Sequence, residues 1–429
     1  MAEVARAHYD GLQDCDPMSE DEPHAEYIRE ALLPAKGRLT NEQKARMAQK
    51  ITRDEVEEAV KEAARNKAPG LDGLPSEIWK TYLAWYESDT KKGETAIDVV
   101  GALTTVFNDI ARHGLLEEST FTEGWICPIY KKKDTREIVN YRPITLLNSD
   151  YKIMTKTLAM KLAELAPVLI HPDQAGFVPG RRIFDHIQLS KMVMAYTEAE
   201  EINGAIVALD QEKAYDRIDH SYLWATLEHM NFPDTFINTV KRLYERAMSC
   251  VMVNGTKSTS YRIRRGVRQG DPMSCLLFDF AIEPLACALR QSPLRGILIP
   301  GDVDRLIATL FADDTTVFLG EGDDYDEAIA PTTVWCRAAR ARFNLEKTEV
   351  IPVGSAEYRE SVIRTRKLSA ASQPIPENVH IVKEGEAVRS LGAWIGNGAD
   401  EAVPTAEMGA GGGCDTGKSG GGDGKDDGS

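Results

Sequence analysis

Residues 310–319 read LFADDTTVFL. Two apolar runs, Leu306–Phe311 and Thr315–Leu319, are separated by Ala312, Asp313 and Asp314 alone. Each run is too short for a stable helix and rich in β-branched and aromatic residues. The spacing therefore predicts two strands joined by a tight acidic turn. Such a hairpin sets two carboxylates on a rigid platform. Negative charge held against buried strands is costly when unpaired, so a cation is expected beside it. The plainer reading of an Asp-Asp pair is turn chemistry, because aspartate favours turns.

A second segment weighs against the plainer reading. Residues 207–216 read VALDQEKAYD, and the continuous apolar run Ala205–Leu209 predicts a buried strand that delivers Asp210 at its end. Carboxylates arriving at strand ends from separate segments can converge on hard divalent cations. Magnesium keeps some of its waters and takes other ligands from substrate phosphates. Two such ions, roughly 4 Å apart, stabilise the attacking and leaving oxygens of an in-line phosphoryl transfer. A third segment, RRGVRQGDPMSCLLF at 264–278, sets Gly266 and Gly270 around a polar loop that leads into a helix from Ser274. Glycine lets the backbone approach a bulky ligand, and Arg264, Arg265 and Arg268 are expected to contact phosphates. Helix capping accounts for Asp271 and Pro272, but not for the arginines and glycines together.

Elsewhere, Thr52 followed by Glu55 predicts a capping box opening a helix over Thr52–Arg65. Further helices are expected near Ser76–Tyr86, Ala96–Arg112, Ser149–Leu165, Ser221–Met230, Pro233–Ala247 and Ser274–Arg290. Trp125–Tyr130 reads as a strand. Cys250–Val253 and Ser260–Ile263 read as a hairpin turning at Asn254-Gly255. Strands alternate irregularly with helices, so the fold class is α+β. A mixed or antiparallel sheet covered by helices is expected, not a doubly wound parallel sheet.

The net charge of −16 argues at first against a nucleic-acid partner. Its distribution reverses that reading. Residues 1–35, 320–328 and 400–429 carry −7, −5 and −5, which leaves about +1 for the rest. Within that rest lie Lys131-Lys132-Lys133 and Arg262, Arg264, Arg265 and Arg268. Residues 1–50 read as an acidic leader, partly disordered, and 398–429 as a disordered Gly/Asp-rich tail around a folded body over 51–397. The seven cysteines are scattered singly, with no CxxC pair to suggest zinc or a disulfide framework. The start, MAEVARAHYD, lacks the apolar core of a secretory signal, and no stretch approaches the roughly 20 apolar residues of a membrane span. An intracellular protein, nuclear or cytoplasmic, with no membrane partner is expected.

Taken in order, the three segments resemble motifs A, B and C of reverse transcriptases, in the form found in non-LTR (LINE-type) retrotransposons. KAPGLDGLPSEIWK (67–80), PIYKKKD (128–134) with NYRPITLLNSDYKIMTK (140–156), and HPDQAGFVPGRR (171–182) resemble that family's finger motifs. FNLEKTEV (343–350) resembles motif D, and SLGAWIG (390–396) the primer grip. The resemblance runs from about Asn66 to Gly396. It implies a right-hand polymerase core, with a palm of antiparallel sheet packed on helices and fingers of helix and strand. It implies an RNA-directed DNA polymerase that joins deoxynucleotides to a primer 3′-hydroxyl with two Mg²⁺ ions. RNA template, DNA primer and deoxynucleoside triphosphates would be its partners.

The resemblance also assigns roles. Asp210, Asp313 and Asp314 match the metal-binding acids. Tyr215 matches an aromatic gate whose ring leaves no room for a ribose 2′-hydroxyl. Gln269 and Gly270 match residues beside the incoming nucleotide, and Lys131 and Arg142 match cations that hold the triphosphate. Lys347 matches a proton donor to pyrophosphate, and Leu391 and Gly392 lie in the primer grip. Tyr215 and the FADD turn argue against an RNA-templated RNA polymerase. Members of the family usually continue into a helical thumb, whereas glycine-rich sequence follows Gly396 here, so a core with its thumb missing is expected. The alternative function is a catalytically inactive, reverse-transcriptase-like nucleic-acid-binding protein.

Overall fold

The computed structural model of the protein describes residues 1–14, 23–131, 133–300 and 305–399. Cys15, Lys132, Cys414 and the glycine-rich tail from 400 onward lie outside the described residues, and with them most of the segment expected to be disordered.

The first strands are β1 (Glu123–Tyr130), β2 (Tyr141–Leu147), β3 (Gly204–Leu209), β4 (Met248–Val253), β5 (Thr256–Lys257) and β6 (Tyr261–Arg262). After them come β7 (Ala308–Phe311), β8 (Asp314–Gly320), β9 (Glu349–Val353), β10 (His380–Ile381), β11 (Val388–Ser390) and β12 (Ala393–Ile395). One sheet runs β10-β9-β3-β8-β7, antiparallel throughout except for the parallel β10–β9 pair. A second runs β2-β1-β4-β5, with β6 also on β4, and its β1–β4 pair is parallel. β11 and β12 form a separate antiparallel hairpin. The architecture is mixed α/β, with helices packed over the sheets.

β3 is the middle strand of the first sheet. Its apolar run is continuous because both faces are covered: five of its six residues are buried. The helix Ser274–Gln291 is apolar on nearly every side for the same reason. It packs on β7 and on the helices Ser149–Leu169, His220–His229 and Tyr325–Ala339. The capping box is present. Thr52 Oγ1 accepts from Glu55 N and Glu55 Oε2 accepts from Thr52 N, opening the helix Arg53–Glu62. A cap of this kind contributes about 1 kcal/mol. Asn254 and Gly255 turn the β4–β5 hairpin with φ of 49° and 78°, as a two-residue primed turn requires.

Among the described residues of the stretch read as a leader, two helices pack against the body. The helix Ala2–Gly11 buries Ala2, Ala5 and Tyr9 against β4 and β6, and His24–Leu32 packs on Tyr325–Ala339. The i, i+3, i+7 spacing of those three residues makes one face of the first helix apolar, despite its acidic surroundings. Among the described residues no helix is long and apolar enough to cross a membrane.

Candidate active site

The acidic turn sits at one end of the first sheet. β7 ends at Phe311, Ala312 and Asp313 make the turn, and Asp314 opens β8, paired with Phe311. β3 runs antiparallel to β8 with Leu209 opposite Thr315. One further step along that ladder brings Asp210 beside Asp314. The turn is backed by the left-handed backbone of Ala312, at φ 54°, a conformation rare for a residue with a side chain.

The acids sense one another electrostatically. Burial pushes the Asp313 carboxyl up, and the negative charge of Asp210 adds to that, against its own backbone hydrogen bond and the opposing charges of Lys131 and Arg142. Asp314 is raised to about 6, first by desolvation and then by Asp313 and Asp210, with Lys131 opposing. Burial and the neighbouring carboxylates both disfavour the ionised form of these groups. Among the described residues no group of three or more His, Cys, Asp or Glu side chains is drawn together as a ready-made metal cage. Asp210, Asp313 and Asp314 nonetheless line one cleft.

A cleft of about 1050 Å³ opens over the acids and is lined by Asp210, Asp313, Asp314, Lys347, Tyr215, Gln269, Gly270, Lys131, Arg142, Leu391 and Gly392, the residues to which the resemblance assigns roles. Lys131 and Arg142 come from the open end of the β1–β2 hairpin, where Ile129 pairs with Arg142 and Lys131 N donates to Asn140 O. Lys347 stands at the end of a short 3₁₀ turn, and its Nζ donates to Asp210 Oδ2 at 2.9 Å. Leu391 and Gly392 turn the β11–β12 hairpin with φ of 51° and 85°.

Two loops are stitched together at the cleft floor. Val267 N donates to Tyr215 O and Gly266 N to Ile218 O, both at 2.7 Å. The Tyr215 ring stacks on Phe278 with centroids 4.6 Å apart, which fixes its plane. Gln269 O accepts from Thr145 N at 3.0 Å, so this loop also grips β2. Gly270 is required by space as well as by its φ of 107°, because a Cβ there would sit 2.4 Å from Thr145 O.

The arginines of the loop correct one expectation. Arg265 and Arg268 are buried, and both spend their guanidinium groups on backbone carbonyls. Arg265 donates to Arg217 O, Asp14 O and Arg340 O, and Arg268 to Thr122 O and Met248 O. Arg264 pairs with Asp10 and Asp14. These groups tie loops together instead of reaching for phosphate. Composition cannot separate a buried, carbonyl-binding arginine from an exposed one.

Sequence reasoning missed Asp279. It is fully buried on the helix Ser274–Gln291, and neither carboxyl oxygen has a hydrogen-bond partner among the described residues. Burial holds its carboxyl well above the usual range, with Glu283 and Asp313 adding to the shift and Arg181 opposing it. The signal was an acid inside LLFDFAIEPL, where the pattern leaves no polar face.

Residues 130–380 match the family model described as reverse transcriptase (RNA-dependent DNA polymerase). The chain is 32% identical over 406 residues to the Transposon TX1 uncharacterized 149 kDa protein of Xenopus laevis, covering 91% of this chain and 29% of that one. It is 27% identical over 290 residues to the Retrovirus-related Pol polyprotein from type-1 retrotransposable element R2 of Popillia japonica, covering 66% and 36%. It is 26% identical over 290 residues to the RNA-directed DNA polymerase from mobile element jockey of Drosophila funebris, covering 67% and 29%. The chain thus spans 29–36% of the length of these curated relatives. It belongs to the reverse transcriptase family, as a domain of the LINE type.

Proposed function

We propose that this chain is the fingers-and-palm part of an RNA-directed DNA polymerase, extending a DNA primer on an RNA template with deoxynucleoside triphosphates. The observation that carries the reading is the single cleft that holds the three acids, the cations Lys131 and Arg142, and Tyr215. In this reading the β10-β9-β3-β8-β7 sheet is the palm, the β1–β2 hairpin belongs to the fingers, and the β11–β12 hairpin is the primer grip. A nuclear or cytoplasmic setting, where such templates and nucleotides occur, is part of the same proposal.

Asp210, Asp313 and Asp314 would hold two magnesium ions. Bound there, the ions would supply charge stabilisation to the attacking 3′-hydroxyl and the departing pyrophosphate. The protein's own residues do the positioning. Arg142 offers a planar fork to phosphate oxygens and Lys131 a point charge, both from the wall opposite the acids. The Tyr215 ring, held in plane by Phe278, bars a 2′-hydroxyl from the sugar position. The Gln269–Gly270 backbone, tied to β2, shapes the floor under the incoming base. Lys347 is placed to give a proton to pyrophosphate once it parts from Asp210.

The test is template-directed incorporation of deoxynucleotides by the purified chain on an oligo(dT)-primed poly(rA) template. Incorporation that depends on magnesium, stops with a chelator and excludes ribonucleotides is expected. A folded chain that binds template-primer without incorporating anything would contradict the proposal.

A further inference from the structure

Asp313 follows a residue whose backbone does not favour its own conformation. Ala312 is buried and left-handed, and nothing in its side chain holds it there. What holds it comes from a loop 138 residues away in sequence. The Gln174 side chain, fully buried, accepts from Ala312 N through Oε1 at 2.9 Å and donates from Nε2 to Ala312 O at 3.3 Å. One amide thus satisfies both backbone groups of one residue, as a neighbouring strand would. The same Oε1 accepts from Gly176 N at 2.8 Å, which fixes the amide's orientation.

The loop that carries Gln174 is itself fastened to the hairpin. Ala175 N donates to Leu310 O and Leu310 N to Asp173 O, at 2.8 and 2.7 Å. Gly176 lies so close that a Cβ on it would sit 2.3 Å from Ala312 N. Arg181 secures the other side by donating to the carbonyls of Ile170, His171 and Gln174. Every contact of this set is to backbone, either of the acidic hairpin or of the loop that carries Gln174.

We propose that Gln174 is a positioning residue for the metal-binding carboxylates, its amide clamping Ala312 so that Asp313 and Asp314 are presented at a fixed angle. The inference rests on the reading of those aspartates as metal ligands. A left-handed alanine released from its clamp relaxes toward ordinary backbone, and the carboxylate on the next residue swings with it. Groups that orient ligands from behind typically change metal affinity by about 10- to 100-fold when removed.

The experiment titrates the full chain with Mn²⁺ alone, reading free ion by electron paramagnetic resonance, beside circular dichroism and thermal unfolding. Parent, Asp313→Asn and Gln174→Met are compared. Gln174→Asn, which keeps an amide but withdraws it by one methylene, serves if the methionine variant does not fold. The expected result is a loss of Mn²⁺ affinity of about tenfold in the Gln174 variants with the fold retained. In extension assays kcat falls, KM for nucleotide stays level, and added metal restores part of the rate. Parental Mn²⁺ affinity in a Gln174 variant, while Asp313→Asn has lost it, overturns the inference and leaves the metal reading standing. An affinity untouched by Asp313→Asn overturns the metal reading itself, and the inference with it.

Discussion

Lys347 and Asp210 form an ion pair across the end of the central sheet, Nζ to Oδ2 at 2.9 Å, in the same cleft as Asp313 and Asp314. The pair joins the end of β3 to the short turn before β9. Asn344 N also donates to Asp210 O at 2.8 Å, so the two segments stay in register. Both side chains remain partly open to solvent, at 59% and 39%.

That openness separates stability from activity. Exposed ion pairs contribute about 0–1 kcal/mol, so Lys347→Met should move the unfolding midpoint very little. Loss of a general acid typically lowers the rate by about 100-fold or more. Single-turnover extension rates measured beside thermal unfolding should therefore diverge. A stability loss as large as the rate loss would instead make Lys347 structural.

Much of the frame was legible because local chemistry and tertiary packing agreed. Thr52 with Glu55 announced a capped helix, and Asn254-Gly255 announced a hairpin. The apolar run ending in Asp210 announced a covered strand. What was not legible had mixed chemistry. The helix Ile183–Ala199 buries His186, Ser190 and Thr197 beside Val193, so its inward face is polar and the apolar period vanishes. The helix Tyr325–Ala339 begins inside an acidic run and holds Pro331, two signals that usually mark loops. β9 contains Pro352, a residue that demotes a strand reading. In the cleft, residue identities were readable from the motifs. The support behind them was not, because a glutamine that binds backbone across 138 residues leaves no local pattern.

Asp314 gives a pH prediction with a definite sign. Its folded carboxyl is raised to about 6, above its ordinary value near 4, so the folded state binds the proton more tightly than the unfolded one. Its contribution to stability is therefore greatest at low pH and falls as pH rises from about 4 through 6. Asp314→Asn, which removes that charge, should raise the unfolding temperature at pH 7.5 and lose most of the gain at about pH 4. Thermal unfolding at the two pH values measures it, and equal shifts at both would count against a raised carboxyl. Metal binding runs the other way, since the ligand form is the carboxylate, so Mn²⁺ affinity of the parent should weaken below pH 6.

Tyr215→Ala addresses sugar choice. The ring is held flat against Phe278 at 4.6 Å and lines the cleft. Its removal should relax discrimination against ribonucleotides by about 10- to 100-fold, with a smaller effect on deoxynucleotide incorporation. Competition between matched ribo- and deoxynucleotides reads the ratio directly, and an unchanged ratio would end the gate assignment.

Gly270→Ala should damage both stability and substrate binding. The new Cβ meets Thr145 O at 2.4 Å on a backbone with φ of 107°. Left-handed strain alone costs on the order of 1–3 kcal/mol, and the overlap with β2 forces the loop outward besides. Urea unfolding should show the loss, and KM for nucleotide should rise in whatever fraction still folds. A variant as stable as the parent would mean the loop is freer than its bonds to β2 imply.

The central claim is that Asp313, with Asp210 and Asp314, carries out nucleotide transfer. Extension of a DNA primer on an RNA template in magnesium, by parent and Asp313→Asn chains of equal fold, tests it most directly. The parent should add deoxynucleotides, and the variant should be slower on the order of 10³-fold, as expected when charge stabilisation at the reacting phosphate is lost. Extension by Asp313→Asn at the parental rate would contradict the claim.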